Sequence, residues 1–274
     1  MIGLIALDLD GTLLTPAKRI SATSREALRR AAARGIPTTL CSGRMAYSVG
    51  QYARELGLAA PAVALNGAHV FEPVTGRTLA EQPLGGALTR RCVEVAEALD
   101  LHYCAFCAHT VYSRFVFPGL EKYAQMARRP RGPLPLALRL VPSGTALLAA
   151  VGEGALDVML SGSPERIQAA RKLLAPESLT ITGFGGANLE LVARGVDKGS
   201  GLALVAERLG VSPRYILALG DDENDAAMFR YAGFPVAMGN AAPGALAAAR
   251  YRTAANTRAG VARAIERFCL EGEG

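Results

Sequence analysis

The chain has 274 residues, half of them apolar, enough for a main domain with a smaller second one. Its formal charge of +6 comes from 30 basic against 24 acidic side chains scattered along the sequence, with no basic block of the kind that tracks nucleic acid. No uncharged apolar span reaches membrane-helix length, no basic stretch of a secretion signal follows Met1, and the 5 cysteines show no disulfide framework, so a cytoplasmic protein without membrane or nucleic-acid partners is expected.

The first predicted element is a strand over 2–7, whose aliphatic and β-branched residues suit a central, buried position. It ends abruptly in Asp8-Leu9-Asp10-Gly11-Thr12. An ordinary Asp/Gly turn accounts for Asp10 and Gly11. It gives no reason for Asp8, a charge set directly after near-core residues, where it is costly unless paired or coordinated to metal. A helix follows over 21–34, capped by Ser21 or Thr23 and stopped by Gly35. A strand over 36–40 delivers Cys41-Ser42-Gly43-Arg44, a helix over 45–56 stops at Gly57, and a third strand over 62–65 ends in Asn66-Gly67-Ala68. Strands alternating with helices, each strand tipped by small or polar residues, predict an α/β fold with a parallel sheet.

The rhythm changes near residue 82. A hairpin joins 70–71 to 78–79, and helices are expected over 89–99, 120–128 and 164–174. Strands are expected over 103–108, 111–115, 138–141, 155–160 and from 179, with a loop at 129–135 and an unassigned stretch around Pro142 and Gly144. This block, 84–185, reads as an α+β insertion between a main-domain part at 1–83 and another at 186–274. Its CxxC pair, Cys104 and Cys107, lacks the second pair of a zinc site and reads as buried thiols. After it come a strand over 188–192, Asp197-Lys198-Gly199 opening a helix to 209, and a strand over 215–219 running into Gly220-Asp221-Asp222-Glu223-Asn224-Asp225. A helix over 226–231, a strand over 234–238, Gly239-Asn240-Ala241 and helices over 243–249 and 258–268 close the chain.

In a parallel sheet every strand presents its C-terminal end to one edge, so Asp8, Asp10, Ser42, Asn66, Asp221, Asn224 and Asp225 are expected to converge. Like charges at close range are unfavourable without a cation, and an all-oxygen cluster suits Mg²⁺ rather than zinc. Asp222 and Glu223 are assigned to the helix N-terminus, where negative charge is favoured. Lys198, Ser42-Gly43-Arg44 and Gly11-Thr12 offer a positive charge, hydroxyls and backbone N–H groups to an anion. Carboxylates with a metal and an anion clamp suit phosphoryl transfer. A P-loop is absent, and the glycine-rich stretch at 183–188 does not match the dinucleotide fingerprint.

These motifs resemble those of the haloacid-dehalogenase-like phosphatases. Asp8-Leu9-Asp10-Gly11-Thr12-Leu13-Leu14 is similar to the family's first motif, Ser42-Gly43-Arg44 to its second, Lys198 to its third, and Gly220 through Asp225 to its fourth. Asn66-Gly67-Ala68 and Gly239-Asn240-Ala241 resemble companions found in the Cof-type subgroup, which carries a large α+β (C2B-type) cap after the third core strand. Mannosyl-3-phosphoglycerate and sucrose-phosphate phosphatases share this layout. The resemblance implies a Rossmann-like core with an inserted cap that sets substrate specificity. It makes Asp8 the nucleophile and Asp10 the acid/base. Asp8, Asp221 and the Asp10 backbone carbonyl would hold Mg²⁺, with Asp225 in support. Ser42, Gly43 and Lys198 would hold the phosphoryl oxygens, Asn66 and Asn224 would orient groups around them, and Arg44 would touch either substrate or a core carboxylate. At the last loop the family's acidic residue after Asn256 is replaced, leaving Asn256 to order that loop without it.

The resemblance thus implies a Mg²⁺-dependent phosphomonoesterase, monomeric or homodimeric, acting on a small phosphorylated metabolite, with a sugar phosphate or phosphoglycerate ester as the leading class. Arg114, Tyr112 and Tyr123 are candidate cap contacts. A sugar-phosphate mutase is the alternative, since it shares the aspartyl-phosphate step, and a non-catalytic phosphosugar-binding protein is the third possibility.

Overall fold

The computed structural model describes residues 1–128, 134–184 and 186–271. They form two compact units, one of Met1–Arg44, Ser48–Leu79 and Asp197–Gly274, the other of Met45–Tyr47 and Ala80–Val196. The chain opens with β1 (Leu4–Leu7), α1 (Ala22–Ala33), β2 (Thr38–Leu40), α2 (Ala46–Glu55), β3 (Ala62–Ala64) and β4 (His69–Phe71). Next come β5 (Thr78–Glu81), α3 (Gly86–Ala98), β6 (His102–Phe106), β7 (Thr110–Ser113), α4 (Glu121–Arg128) and β8 (Ala137–Leu140). They are followed by α5 (Gly144–Val151), β9 (Asp157–Ser161), α6 (Pro164–Leu174), β10 (Leu179–Phe184) and β11 (Asn188–Ala193). The last elements are α7 (Lys198–Leu209), β12 (Ile216–Gly220), α8 (Ala226–Tyr231), β13 (Phe234–Ala237), α9 (Pro243–Ala248), β14 (Tyr251–Arg252) and α10 (Gly260–Ile265).

The first unit is built on a parallel sheet of order β14-β13-β12-β1-β2. β1 lies between β12 and β2 and is buried at every position, which is why it reads as an unbroken apolar run. β3 lies beyond β2, joined by a parallel bridge from Cys41 to Val63, and pairs antiparallel with β4. The Ser21 hydroxyl accepts from the Ser24 N–H and caps α1, as its place before an apolar period predicts.

The second unit holds a sheet of order β10-β11-β9-β6-β7-β8, antiparallel except for β7 with β8. α3, α5 and α6 contribute to a core with residues of β6, β9 and β11, among them Val93, Leu147, Ile167, Leu160 and Leu191.

Two expectations change here. The boundary at 185/186 moves to 196/197, because β11 pairs with both β10 and β9 and so belongs to the second unit's sheet. Its sequence reads as a strand that either unit could hold, and its pairing partners place it in the second. The unassigned stretch holds α5, whose Ser143 cap accepts from the Ala146 N–H. The loop predicted at 129–135 lies mostly outside the described residues, as does Gly185. All 5 cysteines are free, and Cys104 is buried in β6. Among the described residues no helix is long and apolar enough to cross a membrane.

Candidate active site

The parallel sheet delivers Asp8 at the end of β1 and Asp221 at the end of the adjacent β12. Asp225 folds back beneath them: its Oδ2 accepts from the backbone N–H groups of Asp221 (2.8 Å) and Asp222 (3.0 Å). Gly220 permits this, since a Cβ there would overlap the Asp225 carboxylate. Asp222 caps the short turn, accepting from the Glu223 N–H at 2.8 Å. Asp8, Asp221 and Asp225 each place a carboxylate oxygen within 4.8 Å of the others.

Lys198 arrives from the first turn of α7. Asp197 caps that helix through a reciprocal pair of bonds with Ser200, which fixes where the lysine points. Its Nζ donates to Asp8 Oδ1 at 2.8 Å and Asp225 Oδ1 at 2.6 Å, and its side chain is 2 % exposed. Burial works to remove its proton, but the two carboxylates outweigh burial and raise its pKa. Burial pushes the Asp8 carboxyl well above the usual range despite Lys198, and Asp225 adds to the push. Burial likewise raises Asp221 to about 6, opposed by the hydrogen bond from Thr12 and assisted by Asp225.

Three carboxylates meet a single ammonium here, leaving two formal negative charges uncompensated when all are ionised. The donors are all hard oxygens, with no His or Cys among them. This set fits a divalent ion of the Mg²⁺ type.

Asp10 stands apart. Its carboxylate is held by a two-pronged bond from Arg44 (Nε to Oδ2 at 2.5 Å, Nη2 to Oδ1 at 2.7 Å) and by Lys18 Nζ on Oδ1. Burial raises its pKa, but these cations prevail and hold it below the usual carboxylate range. Its carboxylate is therefore no member of the metal cluster. The ligand expected from Asp10 is its backbone carbonyl, a different atom. Arg44 contacts a core carboxylate here: its fork grips Asp10. Lys18 is a residue that sequence reading missed. It sits in a polar turn, with φ of +57°, and nothing in its neighbours' pattern connects it to Asp10. The Tyr52 ring faces the Arg44 guanidinium at 5.6 Å, and its hydroxyl donates to the Lys18 carbonyl.

Ser42 is 2 % exposed at the end of β2, its Oγ accepting from the Arg44 N–H and its carbonyl from the Asn66 N–H. Gly43 stands between these two anchored residues, in the segment expected to meet phosphoryl oxygens. Asn66 adopts φ of +52°, and its Oδ1 accepts from Asn224 Nδ2 at 3.0 Å. The buried Oδ1 of Asn224 has no protein partner, so an acceptor is left for a bound group. Thr12 is read from sequence as an anion donor, but its hydroxyl instead donates to Asp221 Oδ1 at 2.8 Å. Gly11, with φ of +81°, lies so close that a Cβ would fall on the Asp221 carboxylate.

Residues 5–265 match the family model described as haloacid dehalogenase-like hydrolase. The chain belongs to that family. It is 29% identical over 98% of its length to 99% of the putative phosphatase YxeH of Bacillus subtilis. It is also 29% identical to the same organism's 5-amino-6-(5-phospho-D-ribitylamino)uracil phosphatase YcsE, covering 98% of this chain and 96% of that one. A crystal structure of a haloacid dehalogenase-like hydrolase from Bacteroides thetaiotaomicron superposes with a TM-score of 0.82 at 28% identity, over 97% of this chain and 99% of that chain. With this carboxylate cluster on this fold, the chain is an enzyme, a phosphatase of the family.

Proposed function

We propose that the chain is a Mg²⁺-dependent phosphomonoesterase that works through an aspartyl-phosphate on Asp8 and acts on a small sugar or polyol phosphate. The observation that supports the reading is the buried carboxylate cluster with its single lysine, in which the proposed nucleophile Asp8 is one of three carboxylates that could hold a cation. The relatives YcsE, YitU and YwtE of B. subtilis are named for a phosphorylated ribityl compound, which supports the polyol class.

In this reading an Asp8 oxygen attacks phosphorus in line, the P–O bond to the leaving group breaks, and Asp10 supplies the proton that the departing alkoxide takes up. Asp10 then removes a proton from water, which attacks the aspartyl-phosphate, releasing inorganic phosphate and restoring Asp8. A divalent ion held by Asp8, Asp221 and Asp225 would supply charge neutralisation for the phosphoryl transfer. Lys198 keeps Asp8 aimed, Ser42 and Gly43 hold the phosphoryl group, and Asn66 and Asn224 orient groups around it. The grip of Arg44 and Lys18 keeps Asp10 ionised, the form that the second step needs. The first step requires that this grip open as substrate binds. The second unit, from Ala80 to Val196, is assigned recognition of the leaving group.

A panel of sugar, polyol and glycerate phosphate esters with Mg²⁺ tests the reading. Release of free phosphate, fastest from a polyol or sugar ester, is the expected result. Isomerised sugar phosphate without free phosphate would instead identify a mutase, and inertness across the panel would defeat the catalytic reading.

A further inference from the structure

We propose that Asn240 is a positioning residue that aims Asp221 at the metal, and that the last loop sets Asn240 through Asn256. This rests on the Mg²⁺-dependent reading above and adds residues to it from the chain's other end.

Asn240 follows β13, and its side chain bridges three groups. Nδ2 donates to the Gly11 carbonyl at 2.9 Å and to Asp221 Oδ2 at 3.2 Å, while Oδ1 accepts from the backbone N–H of Asn256 at 3.0 Å. The orientation of this amide is fixed by chemistry. A backbone N–H can only donate, so the oxygen must face residue 256, and the NH₂ is left to face two acceptors. Asn256 is fixed in the same way: its Nδ2 donates to the Leu14 carbonyl at 2.8 Å, and a carbonyl can only accept.

The consequence for Asp221 is that both of its oxygens are held. Thr12 donates to Oδ1 and Asn240 to Oδ2. One donor would leave the carboxylate free to rotate about its Cβ–Cγ bond; two donors on opposite oxygens set its plane. The two amides also tie down the loop after Asp8 at two carbonyls, Gly11 and Leu14. The Asn240 turn is seated closely on the last loop, since a Cβ on Gly239 would lie 2.7 Å from the Ala255 nitrogen. Partners that orient a metal ligand typically govern metal affinity by about 10–100-fold.

The test is a titration of the protein with Mn²⁺, read by loss of the free-ion paramagnetic resonance signal, with Mg²⁺ as competitor. Asn240→Ala should weaken Mn²⁺ binding about tenfold. Asn240 is exposed, so this truncation leaves no buried void. Asn240→Ser, whose hydroxyl has a shorter reach, should fall between that variant and the wild type. Asn256→Ala keeps the backbone N–H and should weaken binding less than Asn240→Ala. A role in stability alone would lower Tm while leaving the Mn²⁺ affinities equal. Affinities within about twofold of wild type for both Asn240 variants would overturn the proposal and leave the phosphatase reading standing. Wild-type protein that takes up no Mn²⁺ and yields none to Mg²⁺ would overturn both.

Discussion

The two units are built from similar apolar strands, yet among the described residues only the first gathers a buried cluster of charge. Its buried charged groups, Asp8, Lys198 and Asp225, form one bonded set, whereas the second unit buries Asp157 away from any such lysine-bridged cluster among the described residues. Strand direction explains the difference. In the first unit's five-stranded sheet the strands are parallel, so residues far apart in sequence are delivered to the same edge. In the second, most neighbouring strands run in opposite directions, so successive strand ends alternate between two edges and polar tips do not accumulate.

The largest test of this contrast is Asp8→Asn. It should lower phosphate release from an aryl phosphate by about 10⁴-fold or more while leaving the far-ultraviolet spectrum unchanged. Turnover near the wild-type rate would move the chemistry away from the strand end.

Lys198→Ala comes next. It removes the one cation from a buried carboxylate set, and breaking such a pair costs about 3–5 kcal/mol. Urea unfolding of the metal-free variant should show a loss of that order, and saturating Mg²⁺ should restore part of it. A loss under about 1 kcal/mol would mean that the carboxylates are already neutralised by protons.

In the second unit, Leu160→Ala should cost about 2–5 kcal/mol, because this side chain is fully buried in the core of that unit. Mn²⁺ affinity of the folded variant should match wild type. A weakened affinity would contradict the assignment of metal binding to the first unit alone.

The smallest expected effect is on pH. Asp221 has a pKa raised to about 6, so its proton is favoured in the folded metal-free protein. The stability this contributes is complete below the ordinary carboxylate range and is lost as pH rises through about 6. The Tm of metal-free protein should therefore fall across that window, and Asp221→Asn should flatten the fall. Metal binding runs the other way, since the ion competes with that proton, so Mn²⁺ affinity should weaken as pH drops below about 6. A Tm that rises across the window in both proteins would contradict the raised pKa.

Local chemistry was enough for a large share of this molecule. The unbroken apolar run of β1 marked a strand buried on both faces, and Asp8 at its tip marked a charge needing a partner. The alternation of strand and helix predicted the parallel sheet, and with it the approach of Asp8 to Asp221 and Asp225. The helix cap at Ser21 is encoded in residues adjacent to the helix it starts. Tertiary structure alone decided the rest. β11 has the sequence of a strand for either unit, and only hydrogen bonding to β9 and β10 places it in the second. Arg44 and Thr12 read as anion donors in sequence and Lys18 as nothing in particular, because a cation or a hydroxyl carries no mark of which carboxylate it will meet. The fold turns Lys18 and Arg44 onto Asp10 and Thr12 onto Asp221. Periodicity and turn chemistry act over a few residues and can be read along the chain. Pairing across 209 residues, as between Thr12 and Asp221, is set by which strands become neighbours, and that is a property of the whole sheet.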